Sequence, residues 1–303
     1  MTERSTRRSV LTGASALALV APLFGLAACG RKEEAPTPAA PEAPKGPPEG
    51  SLEWAVAGSW RTAEDKARDV WRHPVETLRF FGLQPKMTVI DFWPGSGWYA
   101  EILAPYLNKG GGTLYLAGFA EGPAAEPAQV AINNALKARI LADKKLYGAV
   151  QFTAFGPTTG PVAPAGTVDL VLFMRYIHAW MAAGLAEKAF SDAYAALRPG
   201  GVLGIEQHRL QPDEDQDPAA ANGYVQEAFV KQLAAEAGFV FVEASEINAN
   251  PADTKDHPFG ADTLAPIRLT APMGQPANPE FDRTRYDAIG ESDRMTLKFR
   301  KPE

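Results

Sequence analysis

The sequence predicts an α/β fold: a mostly parallel, seven-stranded sheet with helices on both faces, closed by an antiparallel hairpin. Three observations lead there. Short apolar runs alternate with helical patterns from residue 87 onward, the order that a parallel sheet with crossover helices requires. The last two strand-like runs, FVFVEASEI at 239–247 and RMTLKFRKP at 294–302, have no clear helix between them. The first run, MTVIDF at 87–92, breaks into a turn holding Gly95 and Gly97 before a helical pattern begins at Trp98.

The elements follow in order. Residues 61–81 have helical spacing broken at Pro74, and Gly82 sits where a C-cap glycine belongs. After strand one, Trp98–Leu107 reads as a helix, 112–119 as strand two, 127–145 as a helix and 149–155 as strand three. TVDLVLFMRY (167–176) is strand four, 184–197 a helix that stops at RPGG, and GVLGIEQHR (201–209) strand five. A helix over 224–237 runs up to Gly238 and precedes strand six. Residues 248–293 are rich in Pro and Gly; a connection that long is a lid, a binding loop or a disordered segment.

The first residues concern address, not chemistry. STRRSVLTGASALALVAPLFGLAAC pairs Arg7 and Arg8 with an apolar run and small residues before Cys29, the pattern of an export signal of the twin-arginine type. A permanent membrane span is the weaker reading, because Gly13, Pro22 and Gly25 interrupt the run. LAAC at 26–29 resembles the lipobox of bacterial lipoproteins. That resemblance implies cleavage after residue 28 and lipid attachment to Cys29, and Gly30 behind it favours the outer membrane. Cys29 is the single cysteine, so no intramolecular disulfide can form. Residues 29–60 begin with a Pro-rich tether that lacks large apolar side chains, and 61–303 form the domain. Cleavage leaves 27 basic against 35 acidic side chains, a net charge of −8, which argues against nucleic acid as a partner.

The order of elements resembles the Rossmann-like fold of class I S-adenosylmethionine-dependent methyltransferases. More narrowly, WRHPVETLRFFGLQPKMTVIDFWPGSGWYAEILAPYL is similar to an exported bacterial family of predicted methyltransferases in which the Trp-Pro-Gly turn recurs. The resemblance covers roughly 61–258 and resumes at 294–302. It implies S-adenosylmethionine as cofactor, with Asp91 closing strand one and Gly95 and Gly97 matching the last two glycines of the acidic-x-Gly-x-Gly-x-Gly turn. Trp93 takes the place of the first glycine, and Asp169 matches the acid of strand four. Two departures count against it. Strand two should end in an acid for the ribose hydroxyls, and Ala117 and Gly118 stand there, with Glu121 late. Strand three should be followed by an Asp near the adenine amine, and Phe155-Gly156-Pro157 follows.

The strand ends carry the candidate chemistry, since ligands in open α/β sheets sit beyond the carboxyl ends. Trp93, Trp98 and Tyr99 could face a sulfonium or pack the turn; for Trp98 packing is favoured. Asp91 could bind the cofactor's amino end or cap nearby amides. His178 or His208 could serve as base, with Arg175 holding an anionic acceptor; each histidine could equally be a hydrogen-bonded structural residue. His73-Pro74 reads as a helix kink. No metal-ligand spacing is present, nor a Gly-x-Ser-x-Gly elbow. The sequence therefore points to an exported, lipid-anchored methyltransferase acting on a small or envelope-borne acceptor. The alternative is a non-catalytic binding protein on the same fold; a dinucleotide-dependent oxidoreductase fits the glycine spacing and the closing hairpin poorly.

Overall fold

The computed structural model describes residues 46–123 and 125–303; the export signal, Cys29 and the tether up to residue 45 lie outside the described residues. Seven strands form: β1 (Thr88–Phe92), β2 (Thr113–Phe119), β3 (Gln151–Phe155), β4 (Val168–Met174), β5 (Leu197–His208), β6 (Val240–Ser245) and β7 (Arg294–Arg300). They make one sheet in the order β3-β2-β1-β4-β5-β7-β6. The first five run parallel to their neighbours, and β7 inserts antiparallel between β5 and β6. This is a Rossmann-like methyltransferase fold, with the order reversing between β1 and β4.

Helices α1 (Leu52–Ala57), α2 (Ala63–Ala67), α3 (Asp69–Arg72), α4 (Pro74–Phe80) and α5 (Ala100–Gly110) precede or follow β1. Helices α6 (Pro127–Ala142) and α7 (Lys144–Tyr147) follow β2; α8 (Ile177–Ala182) and α9 (Ala186–Ala196) follow β4; α10 (Glu227–Glu236) follows β5. The two faces of the sheet are separate cores. On β4, Leu170, Leu172 and Met174 join the side chains of α4 and α5, while Val171 and Phe173 join those of α8 and α9. A strand covered on both faces needs apolar residues at both parities, which is why VDLVLFM reads as nearly continuous. Each such fully buried side chain contributes about 1.5–3 kcal/mol.

Several boundaries differ from the sequence reading, each for a local reason. The helical stretch 61–81 is three short helices, with His73 in a left-handed conformation between α3 and Pro74. The LRPGG run is not a turn before β5 but its first residues, accommodated by a register shift against β4 and by Gly200 at φ +72°. Strand β4 stops at Met174, because Arg175 turns to φ +67°.

Segment 248–293 is built, with a 3₁₀ turn at Gly260–Thr263 and helix α11 at Thr284–Ile289. Polar side chains stitch it down. Asn248 donates to the hydroxyls of Thr77 and Thr296, both at 3.0 Å. Asp253 accepts from Tyr224 at 3.0 Å and contacts His257 Nε2 at 2.8 Å.

Candidate functional site

A pocket of about 230 Å³ opens over the carboxyl ends of β1, β4 and β5 and is roofed by the 3₁₀ turn. Its floor is a buried charge network. At its centre Glu206, on β5, is wholly buried. It accepts from Tyr99 at 2.9 Å and pairs with Arg175 and Arg294, each at 3.1 Å. The left-handed turn at Arg175 also lets its backbone N–H bond the Glu206 carbonyl at 2.7 Å, so side chain and main chain are fixed together. Glu291 holds Arg72 at 2.9 Å and Arg294 at 2.7 Å. Burial pushes both carboxyls up, but the arginines outweigh it: Glu206 stays below the usual range and Glu291 falls to about 2.

Asp91 ends β1 in the pocket wall, only 2% exposed. Among the described residues its carboxylate accepts no hydrogen bond, and burial raises it to about 7 against the pull of Arg175. It therefore caps no amide.

His178 and His208 face the same space with ring centroids 5.4 Å apart. The tautomer of His178 follows from Gln207. That amide's Oε1 accepts from Ile177 N at 3.1 Å, so its Nε2 donates to Gly223 O and to His178 Nδ1 at 3.2 Å. The proton of His178 then sits on Nε2, and burial lowers its pKa to about 4. His178 is thus a neutral donor. His208 bonds Ser292 through Nδ1, and burial, with His178 and the arginines, holds it well below the usual histidine range. Its Nε2 stays available as the acceptor of the pair if Nδ1 is the donor to Ser292.

The space between the end of β3 and α8 is filled by the chain, while a second opening of about 360 Å³ lies beside α6 over Pro94, Gly118, Glu121 and Ala154. Trp93, at φ +46° and 8% exposed, lays its indole among Phe119, Phe155, Tyr176 and Trp180. The indole N–H donates to Phe155 O at 2.9 Å. These partners come from the ends of β2 and β3 and the start of α8, where the resemblance puts ribose and adenine. Beside it, Asn133 of α6 donates to Phe119 O and accepts from Phe119 N, and a Cβ on Gly118 would lie 2.6 Å from its Oδ1. The residues present therefore fit the amino-acid end of adenosylmethionine, at Asp91 and Gly95, and the indole of Trp93 takes the space among Phe119, Phe155 and Tyr176 from a nucleoside. The open pocket is also below the roughly 300–1,000 Å³ usual for drug-sized ligands.

Of the predicted residues, Asp91, Trp93, Gly95, Tyr99, Arg175, His178 and His208 line this one pocket. Gly97 does not; its bare Cα admits Leu136 Cδ1, which a Cβ would meet at 2.4 Å. Trp98 packs, with Arg61 and Arg72 over its ring and its N–H on Asp65 O. Asp169 is a correction: it lies at the amino end of β4, accepting from Thr88 N at 2.7 Å and Arg198 at 2.6 Å, at the opposite end of the strand from the pocket. Sequence reasoning missed Arg72, Tyr176 and Asp262 as wall residues. Tyr176 adjoins Arg175 in RYIH and could have been found; Asp262 sits in the long connection with no local signal.

No protein-family profile and no curated protein matches the chain. Solved structures do. A proposed sarcosine dimethylglycine methyltransferase from Galdieria sulphuraria aligns with a TM-score of 0.51 at 16% identity, over 79% of this chain and 87% of that one. A SAM-dependent methyltransferase from Aquifex aeolicus aligns with a TM-score of 0.48 at 20% identity, over 60% and 87%. At such identities the likeness is one of fold. The class this chain joins by architecture is the methyltransferase fold.

Proposed function

We propose that this protein is a ligand-binding protein built on the methyltransferase fold, in which its own indole stands where a nucleoside would lie. The observation that carries this reading is the Trp93 side chain, buried among four aromatic rings and hydrogen-bonded to the end of β3. The ligand is a small molecule in the polar pocket at the ends of β1, β4 and β5. Titrating the full chain with S-adenosylmethionine by calorimetry, beside a Trp93→Gly variant, tests it. No heat from the wild type at near-millimolar ligand, with binding by the variant, supports the reading. Binding by the wild type overturns it.

That second outcome would favour an S-adenosylmethionine-dependent methyltransferase, the reading that the fold suggests by analogy. One observation specifically supports it: Asp91 keeps an unspent carboxylate next to Gly95, with Arg175 and His208 across the same pocket. In that case Arg175 would hold an anionic acceptor and His208 would receive its proton. In either reading the sequence supports export by the twin-arginine route and a lipid on Cys29, with the tether holding the domain off the outer membrane. The acidic balance supports a small-molecule or envelope-borne partner over nucleic acid. Replacing Cys29 by Ser tests the anchor: the protein should move from the membrane fraction to the soluble one, and retention at the membrane would refute it.

A further inference from the structure

The pocket has more to offer a ligand than a general polar lining. Its floor holds three arginines, the buried Arg72 and Arg294 and the partly exposed Arg175, against two carboxylates locked to them, Glu206 and Glu291. The cluster therefore carries one more positive than negative charge, and excess charge with little access to water is costly. Asp91 is the group on the pocket wall that Arg175 can recruit as the third negative charge.

The hydrogen-bond accounting points the same way. Arg72 turns Nε and Nη2 to Glu291, and Arg175 turns Nη1 to Glu206. Among the described residues, Arg72 Nη1 and Arg175 Nε and Nη2 have no acceptor, although both side chains line the pocket. The Nε2–H of His178 and the turn amides of Gly95 and Ser96 are equally unspent. Several unspent donors thus converge on about 230 Å³.

We infer that the pocket binds a small monovalent carboxylate, which replaces Asp91 as the third negative charge beside the arginines. This rests on the reading that the pocket is the ligand site. On entry the carboxylate accepts from the guanidinium groups, and Asp91 takes one proton from solvent and becomes a donor to it. The sum of charges stays balanced: one anion and one proton enter together.

Other groups facing Asp91 do not alter the sign. Tyr99 and Tyr176 are held protonated by burial, and His178 and His208 are held neutral. Arg68 of the α2–α3 junction is paired with Asp65. Asp262 in the roof is pushed up by burial, so it too resists ionising near an incoming anion. With Asp91 titrating at about 7, binding is strongest below that pH and weakens as pH rises through it.

The test titrates the full chain with acetate, and with acetamide as its uncharged isostere, by calorimetry in buffers of different ionisation enthalpy. Acetate should bind saturably, take up close to one proton above about pH 7 and little below it, and lose affinity about tenfold per pH unit above about pH 7. Acetamide should not bind. In Asp91→Asn the proton uptake and the pH dependence should vanish; should that variant fail to fold, the wild-type proton count still decides. Absent acetate binding, equal binding of acetamide, or unchanged proton linkage in Asp91→Asn overturns the inference. Acetate binding that ignores Ser96→Phe, on the wall outside the charge network, would instead overturn the choice of site.

Discussion

The two halves of the strand-end region have gone opposite ways. Between the ends of β2 and β3 and the start of α8, rings of the chain itself close the space around Trp93, which is 8% exposed with its single polar atom satisfied. Around β1, β4 and β5, the space is open and its polar atoms are not satisfied: Asp91, Arg72, Arg175 and His178 all keep capacity for a ligand. The difference teaches that the likeness to known structures is one of frame, and that side chains decide which parts of the strand-end region stay open.

The largest expected effect lies under the open half. Replacing Glu206 by Ala leaves the buried Arg294 and the partly exposed Arg175 without their shared carboxylate. Breaking a buried pair from one side costs about 3–5 kcal/mol, read as a lower urea midpoint. A loss near zero would mean that the network is wet, and that the pocket floor is not the rigid charged plate described above.

A pH series sharpens the same half. Asp91 rises from 3.8 to about 7 on folding, so the unfolded chain ionises it first and the fold loses stability as pH climbs between those values. The full span is worth at most about 4 kcal/mol. His178 works in the opposite sense: its pKa falls from 6.5 to about 4, so its contribution is present above 6.5 and is lost as pH drops toward 4. In Asp91→Asn the Asp91 contribution disappears while the histidine slope survives. The variant should be more stable than the wild type at pH 8, with the gap closing toward pH 4. A gap constant across the range would refute the raised Asp91.

The closed half is tested by Trp93→Gly. Emptying that much aromatic volume costs about 3–5 kcal/mol, offset by roughly 1 kcal/mol because glycine tolerates the φ of +46° without strain. If the indole stands in for a base, adenosine should restore stability to the variant, by about 2.7 kcal/mol at a hundredfold excess over its Kd. Adenosine should leave the wild type unmoved. A variant that collapses without rescue would make the indole an ordinary core ring.

Much of the open half could be read in the sequence because it depends on position alone. Asp91, Arg175, His178 and His208 fall at the ends of strands whose alternation of apolar residues is plain, and a parallel sheet gathers such ends. The closed half could not be read that way. Whether Trp93 faces a ligand or packs is decided by Phe119, Phe155, Tyr176 and Trp180, which lie 26 to 87 residues away along the chain. Asp169 misled for a related reason: the acid belongs to the right strand but to its amino end, where it ties Thr88 and Arg198. Segment 248–293 gave no periodic signal because Asn248, Asn250 and Asp253 hold it through side-chain hydrogen bonds rather than through an apolar face.

The two glycines of the first turn give the finest division between the halves. Both have positive φ, +56° at Gly95 and +92° at Gly97, so alanine strains either by about 1 kcal/mol or more. Their surroundings differ. A Cβ on Gly95 would meet the Tyr176 hydroxyl at 2.8 Å, within the open pocket, whereas one on Gly97 would meet Leu136 Cδ1 at 2.4 Å, against α6. Gly97→Ala should therefore lower stability the more, by about 2 kcal/mol once overpacking is included, and leave ligand affinity as it was. Gly95→Ala should cost less stability and weaken the ligand, because Tyr176 must shift across the space that the ligand uses. Equal loss of affinity in both variants would mean that the turn acts as one rigid cradle, and the line drawn between its two glycines would be wrong.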